Sequence, residues 1–430
     1  MKKILALILA IILVMSMVVG LSSCGSKGSS KGGKDATLKV GVILVGDEGE
    51  GYTKAHMDGI EAAAAALTKD GKPVEIQWKK NIPEDEKVKT NALDLIADGC
   101  TLIISNSYGH QFHFGDVIEE YPDVTFVAMT GDLAAGSGLN NYFNAFTRVY
   151  ESRYVSGVIA GLKLKELLDE GKLSQDISPN SYDAEGNIKI GYVGAYEYAE
   201  VVSGYTSFYL GIKSIVENVS MTVKYTNSWF NEEREAAVAE YLMGIGCVII
   251  GQHADSTGAP AAVQKAYNNN KDNLCFSIGY NVSMLETAPD VALTSAGNNW
   301  GAYYEVLFRA LIDKTDVPAD WAEGFSSNAV DITELGSSVA KGTKEKVDDT
   351  VKKIKDGSLK VFDCSTFTVG GKNLTSYIYN SPFGSSIEGM ECIKSEGSVY
   401  YFDDSSLRSA PYFDIRIDNV VEIKSEYEPS

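Results

Sequence analysis

The chain has 430 residues, 44% of them hydrophobic, and a formal net charge of −20. That length exceeds what a single core usually organises, so two lobes are expected. The acidic balance argues against nucleic-acid binding and against a polybasic membrane patch.

Lys2 and Lys3 precede an apolar run over residues 4–19, which ends in Leu21-Ser22-Ser23-Cys24. The run is short for a spanning helix and has the layout of a secretion signal. Its last four residues resemble the lipobox of bacterial lipoproteins: a branched residue, two small ones, and a cysteine that is lipidated and becomes the mature N-terminus. The resemblance implies a lipoprotein signal peptide over residues 1–23 and acyl chains, palmitate among them, on Cys24. The protein would then be lipid-anchored on the extracytoplasmic face of the cell membrane. Each buried methylene contributes about 0.8 kcal/mol, so two or more chains make a stable tether. Residues 24–36, rich in Gly, Ser and Lys, read as a flexible linker.

Residues 38–45 are mostly β-branched or Leu, the pattern of a strand buried on both faces. The acidic, turn-rich loop 46–51 follows. A helical pattern then begins at Tyr52, with Ile60, Ala64 and Leu67 on one stripe. A strand–loop–helix unit of this kind places its loop at the carboxyl edge of a parallel sheet, where open α/β folds hold small ligands. The pattern repeats. Strands are expected over 74–79, 101–104 and 124–129, with helices over 85–97 and 112–120. The spacing predicts a long helix over 151–168 and a surface loop over 171–187. Strands over 188–193, 221–225, 247–250 and 274–278 alternate with helices over 205–216, 232–243 and 259–268. A strand over 291–295 and a helix over 303–312 return to the first lobe, and 329–335 and helix 344–354 go back to the second.

Such alternation implies parallel βαβ units with right-handed crossovers. The fold class is therefore α/β: two doubly wound parallel-sheet lobes joined by three crossovers near Asn140, Asp290 and Thr315, with a C-terminal β-rich extension. Residues 37–145 plus 290–315 form the N-terminal lobe. Residues 146–289 plus 316–366 form the C-terminal lobe, and 367–430 make hairpins and loops packed on it. Cys100, Cys247 and Cys275 stand at or in strand-like runs and read as free, buried thiols. A bridge between Cys364 and Cys392 stays open as an alternative.

Three stretches together resemble the basic membrane protein family of lipoprotein substrate-binding proteins of ABC transporters. They are Gly51-Tyr52-Thr53-Lys54-Ala55-His56-Met57-Asp58-Gly59, then Glu120-Tyr121-Pro122-Asp123-Val124-Thr125-Phe126, then Trp229 with Gln252-His253-Ala254-Asp255 and Asn299-Trp300-Gly301-Ala302-Tyr303-Tyr304. The resemblance implies a type I periplasmic-binding-protein fold. It also implies capture of purine nucleosides or nucleobases, and a permease partner. No cofactor and no metal is implied, and a monomer is expected.

The loops suit that ligand. A purine offers a flat π-face and an edge of donors and acceptors, so aromatic rings can stack on it while carboxylates and amides read its edge. At expected strand ends the chain places Tyr52, Tyr108, Tyr196, Trp229, Phe230 and Trp300. Beside them lie Glu50, Asn106, Ser107, Glu200, Gln252, Asp255, Asn281 and Asn298. Family members place a base-stacking aromatic where Tyr52 stands. Each candidate also has a packing or turn-forming role open to it. Better-known nucleoside-binding members carry an Asp and a Lys that hold the ribose where this chain has Asn281 and Asn298. That departure favours a free nucleobase, or a nucleoside held differently.

No nucleophile elbow, phosphate-binding loop or metal-ligand spacing occurs, so an enzyme is not expected. A ligand sensor of the same fold feeding a signalling partner, or a sugar-binding protein, remain the alternatives.

Overall fold

The computed structural model describes residues 38–381 and 385–429. The expected signal peptide and linker, and Cys24, lie outside the described residues. No helix among those described is long and apolar enough to cross a membrane.

Among the described residues, two helix-covered sheets form the body of the fold. The first has the order β11-β5-β4-β3-β1-β2. Its strands are β1 (Leu38–Ile43), β2 (Val74–Lys79), β3 (Leu102–Ser105), β4 (Thr125–Met129), β5 (Tyr142–Thr147) and β11 (Asp320–Glu323). All its pairings are parallel. The second sheet has the order β12-β10-β9-β8-β6-β7-β15. It contains β6 (Ile188–Gly194), β7 (Val219–Tyr225), β8 (Ile249–Gln252), β9 (Phe276–Tyr280), β10 (Ala292–Asn298), β12 (Val330–Ile332) and β15 (Val420–Ile423). Only β10 and β12 pair antiparallel in it. A hairpin of β13 (Ile393–Glu396) and β14 (Val399–Phe402) stands apart.

The long helices are α1 (Gly51–Lys69), α2 (Lys87–Ala97), α3 (Val149–Asp169), α4 (Ala199–Lys213), α5 (Glu232–Gly244), α6 (Gly258–Asn269), α7 (Gly301–Asp313) and α8 (Thr343–Lys355). The expected stripe of α1 is inward: Ile60, Ala64 and Leu67 are buried in one core with Val40, Val42 and Leu102. Helix α3 is buried nearly all round, because both a sheet and α4 lie against it. Glycines permit that approach. A Cβ on Gly157 would lie 2.1 Å from the Phe208 carbonyl oxygen, and one on Gly211 2.1 Å from that of Tyr154.

The crossings differ from those expected. Strand β5 runs on to Thr147, so the first crossing is its junction with α3 rather than Asn140. Strand β10 pairs with β9 and β12 in the second sheet, so residues 292–298 do not belong to the first half and the crossing falls between Asn298 and Gly301. The third lies between β11 and β12, not at Thr315: β11 is an edge strand of the first sheet. Its four residues, Asp320 to Glu323, are too short and polar to show a strand period. Cys100, Cys247, Cys275, Cys364 and Cys392 are free and buried, so Cys364 and Cys392 are not bridged.

The extension does more than pack on the second half. Strand β15 completes the second sheet beside β7. Arg408 and Ser409 instead reach the first half, bonding Asp132 and Asp320.

Candidate functional site

The carboxyl ends of both sheets face a cleft of about 2130 Å3. Loops following β1, β3 and β4 line it from the first half; those following β6, β7 and β8 line it from the second; the extension closes one end. Carboxyl-end loops are where open parallel sheets bind ligands, because strand ends leave backbone and side chains free of the ladder. The halves already touch at one edge. A Cβ on Gly51 would lie 3.1 Å from Val282 Cγ2 and 3.2 Å from the Asp255 carbonyl oxygen.

Aromatic rings form much of the wall. Tyr196 and Tyr198 stack at 5.4 Å with 16° between their planes, and Trp229 meets Tyr196 edge-on at 5.0 Å. Tyr108 from the first half comes within 6.2 Å of Tyr198 from the second. Tyr52, Tyr108, Tyr198, Trp229 and Phe230 line the cleft, and Phe230 is 40% exposed. Tyr196 stands behind Tyr198 and Trp229 as their support. Burial holds the Tyr52 and Tyr108 hydroxyls above their ordinary range, so both stay neutral donors.

Carboxylates lie below the rings. Glu50 and Asp255 both line the cleft and are buried. Burial raises each above the usual carboxylate range, and Asp255 is pushed further by the charges of Glu50 and Glu235. Asn281 Nδ2 donates to Asp255 Oδ1 at 2.7 Å. Asn298 Nδ2 donates to Asn281 Oδ1 at 2.8 Å and to the Tyr280 hydroxyl at 3.1 Å, and Thr147 donates to Asn298 Oδ1. Asn281 holds a left-handed backbone (φ 60°), a conformation Asn tolerates better than most residues. Glu200 also lines the cleft and bonds His253 Nε2 at 2.7 Å. Burial depresses the His253 pKa, which favours the neutral ring.

Several expected contacts turn out to be supports. Asn106 accepts from the Val45 amide at 2.8 Å and donates to Thr53 at 3.2 Å, fixing the first loop. Its carbonyl accepts from Tyr52. Ser107 lines the cleft while donating to Glu84 Oε1 at 2.6 Å. Gln252 turns inward and donates to the carbonyls of Ala254 and Ser256, bracing the loop that presents Asp255. Trp300 is 1% exposed and stacks on His56 at 4.3 Å within the first core. Sequence reasoning passed over Tyr198, Tyr280, Asp132 and Arg408, all of which line the cleft. Tyr198 carried a signal, since it follows Tyr196 at a strand end; Arg408 carried none, since it lies in the C-terminal extension with its partner Asp132 in the other half.

Tyr108, Tyr198 and Trp229 line a cleft that also holds buried carboxyl and amide groups, with Tyr198 inclined by 45° to Tyr108 and by 50° to Trp229; such groups can take a planar heterocycle, rings against its faces and oxygens against its N–H edge. Comparison with known proteins shows the family and the fold. The family model described as ABC transporter substrate-binding protein, PnrA-like, matches residues 37–364. A purine-binding protein of Brucella abortus (strain 2308) is 31% identical over 326 residues, covering 76% of this chain and 83% of that one. Among solved structures, an ABC transporter solute-binding protein of Aeropyrum pernix K1 superposes with a TM-score of 0.59 at 16% identity, covering 78% of this chain and 94% of that one. One from Conexibacter woesei DSM 14684 gives 0.54 at 18%, covering 75% and 98%. The fold is thus that of type I periplasmic solute-binding proteins.

Proposed function

The chain belongs to the family of PnrA-like ABC transporter substrate-binding proteins, and from that premise we propose that it captures a purine nucleobase and delivers it to a membrane permease. Proteins of this family work outside the cytoplasm and are solute binders rather than enzymes. Acyl chains on Cys24 would hold this one at the membrane surface.

The purine class is supported by the Brucella relative and by the aromatic wall. The observation that carries the choice of base over nucleoside is the Asn281–Asn298 pair. Both amides are buried and spend their polar atoms on each other and on Asp255, Tyr280 and Thr147. Little is left to hold a ribose. In this reading Tyr108, Tyr198 and Trp229 grip the faces of the base, Tyr52 closes one side, and Asp255, Glu50 and Glu200 read its edge.

The cleft is larger than the roughly 300–1,000 Å3 typical of small-molecule sites, so capture includes closure. The halves rotate on the three crossings, and a ligand touching both shifts the population toward the closed state. Closed surfaces then dock on the permease. Mass spectrometry of small molecules carried through purification tests the assignment: a purine base is expected, and a sugar in its place would overturn it.

A further inference from the structure

The segment 404–413 is fixed to the second half at its base. Asp404 is fully buried, accepts from the Ser203 hydroxyl on α4, and accepts the Tyr412 and Phe413 amides at 2.6 Å each. Further on, β15 pairs with β7, and Glu422 accepts from Tyr205 and Tyr225. The Asn227 amide and Arg234 bond the carbonyls of Tyr427 and Glu428. The Tyr412 and Phe413 bonds close the segment on itself, and the other partners belong to the second half.

The tip of the same segment grips the first half. Arg408 Nη1 donates to Asp132 Oδ2 at 2.9 Å, in a pair whose side chains are only 8% and 14% exposed. The Ser409 amide donates to Asp320 Oδ2 at 2.9 Å. Asp132 follows β4 and Asp320 begins β11, so both acceptors move with the first sheet. Gln111 bonds the other Asp132 oxygen at 3.2 Å and so aims the carboxylate. Arg408, Ala410 and Pro411 line the end wall of the cleft. The family model stops at residue 364, so this connection lies outside the part of the chain it matches.

A hinge motion that separates the halves must therefore pull Arg408 from Asp132 and Ser409 from Asp320, or peel the segment from α4. Parting the pair gives up a charge-assisted hydrogen bond and its Coulombic attraction, which opposes the motion. We propose that residues 404–413 are a strap that restrains opening of the two halves, with Arg408 as its catch. The strap acts in the empty protein, sets how far the cleft opens for entry, and slows release. The inference rests on the two halves moving about the crossings, not on the identity of the ligand.

The test is an interlobe distance measured by electron spin resonance on the full, ligand-free chain. Spin labels go on Glu61→Cys and Glu286→Cys, both exposed sites, in a Cys24→Ser background; the five described cysteines are buried and stay unlabelled. Arg408→Ala and Asp132→Asn should each move the distribution to longer and broader distances, and Arg408→Asp with Asp132→Arg should bring it back. A distribution unchanged in natively folded variants would overturn the strap. If Arg408→Ala does not fold, Asp132→Asn and Asp320→Asn, which keep side-chain shape, decide the matter alone. No purine enters the measurement, so its outcome and that of the ligand assignment are independent.

Discussion

Asn298 donates its side-chain amide to Asn281 at 2.8 Å, joining the ends of two neighbouring strands of the second sheet. Through Asn281 the chain of bonds reaches Asp255 in the cleft; through Thr147 it reaches the crossing between β5 and α3. In the proposed binding mode a ligand held at Asp255 would thereby be linked to two of the three crossings between the halves. Asn281→Asp with Asn298→Lys, the pair that the family resemblance associates with a ribose contact, should raise affinity for inosine or guanosine by about tenfold, roughly 1.4 kcal/mol. Calorimetric titration of wild type and double variant checks it; unchanged nucleoside affinity would mean that ribose selection lies elsewhere.

The two tryptophans that sequence reasoning treated alike should separate cleanly. Trp229→Ala removes a cleft-lining ring and should weaken base binding by about 1–3 kcal/mol with a modest effect on melting. Trp300→Ala empties a buried site beside His56 and should cost about 3–5 kcal/mol of stability. Denaturant unfolding and ligand titration on both variants show whether the effects divide this way.

Stability should fall as pH rises toward neutrality. Burial pushes the carboxyls of Glu235 and Asp404 up to about 7. From the ordinary value of each group (4.5 for Glu235, 3.8 for Asp404) up to about 7 the folded chain keeps a proton that the unfolded chain has released, so each group takes away on the order of 3–4 kcal/mol across its window and nothing more above it. Melting temperatures should decline over this range, and Glu235→Gln or Asp404→Asn should flatten the decline. A melting temperature that climbs with pH would contradict the assignment.

Gly157→Ala and Gly211→Ala should each destabilise by about 1–3 kcal/mol or more, because the added carbon meets a backbone carbonyl that cannot rotate away. Circular dichroism melts test this. A neutral Gly157→Ala would mean that α3 and α4 separate more easily than their burial indicates.

Much of the scaffold was legible because its signals are local. Val40, Val42 and the Ile60, Ala64, Leu67 stripe announce β1 and α1 through their own spacing. The acidic loop between them indeed reaches the cleft through Glu50 and Tyr52. What escaped depends on partners distant in sequence. The four residues of β11 become a strand only beside β5, and β15 only beside β7. Asn106 and Gln252 stand at strand ends as expected, yet turn away from the cleft to brace the loops that form it. Trp300 follows a strand end too, and the small residue Gly59 opposite it lets it sink into the core. Side-chain direction at a loop is set by such neighbours, and no periodicity encodes it.

In the proposed function the two halves hold a purine base between aromatic rings. Titrating the protein with adenine, xanthine, inosine, guanosine and ribose by calorimetry, beside Trp229→Ala, tests it most directly. Saturable one-to-one heat with a nucleobase, none with ribose, and loss of that heat in the variant is the result expected. Binding of ribose alone, or base binding that survives Trp229→Ala unchanged, would contradict it.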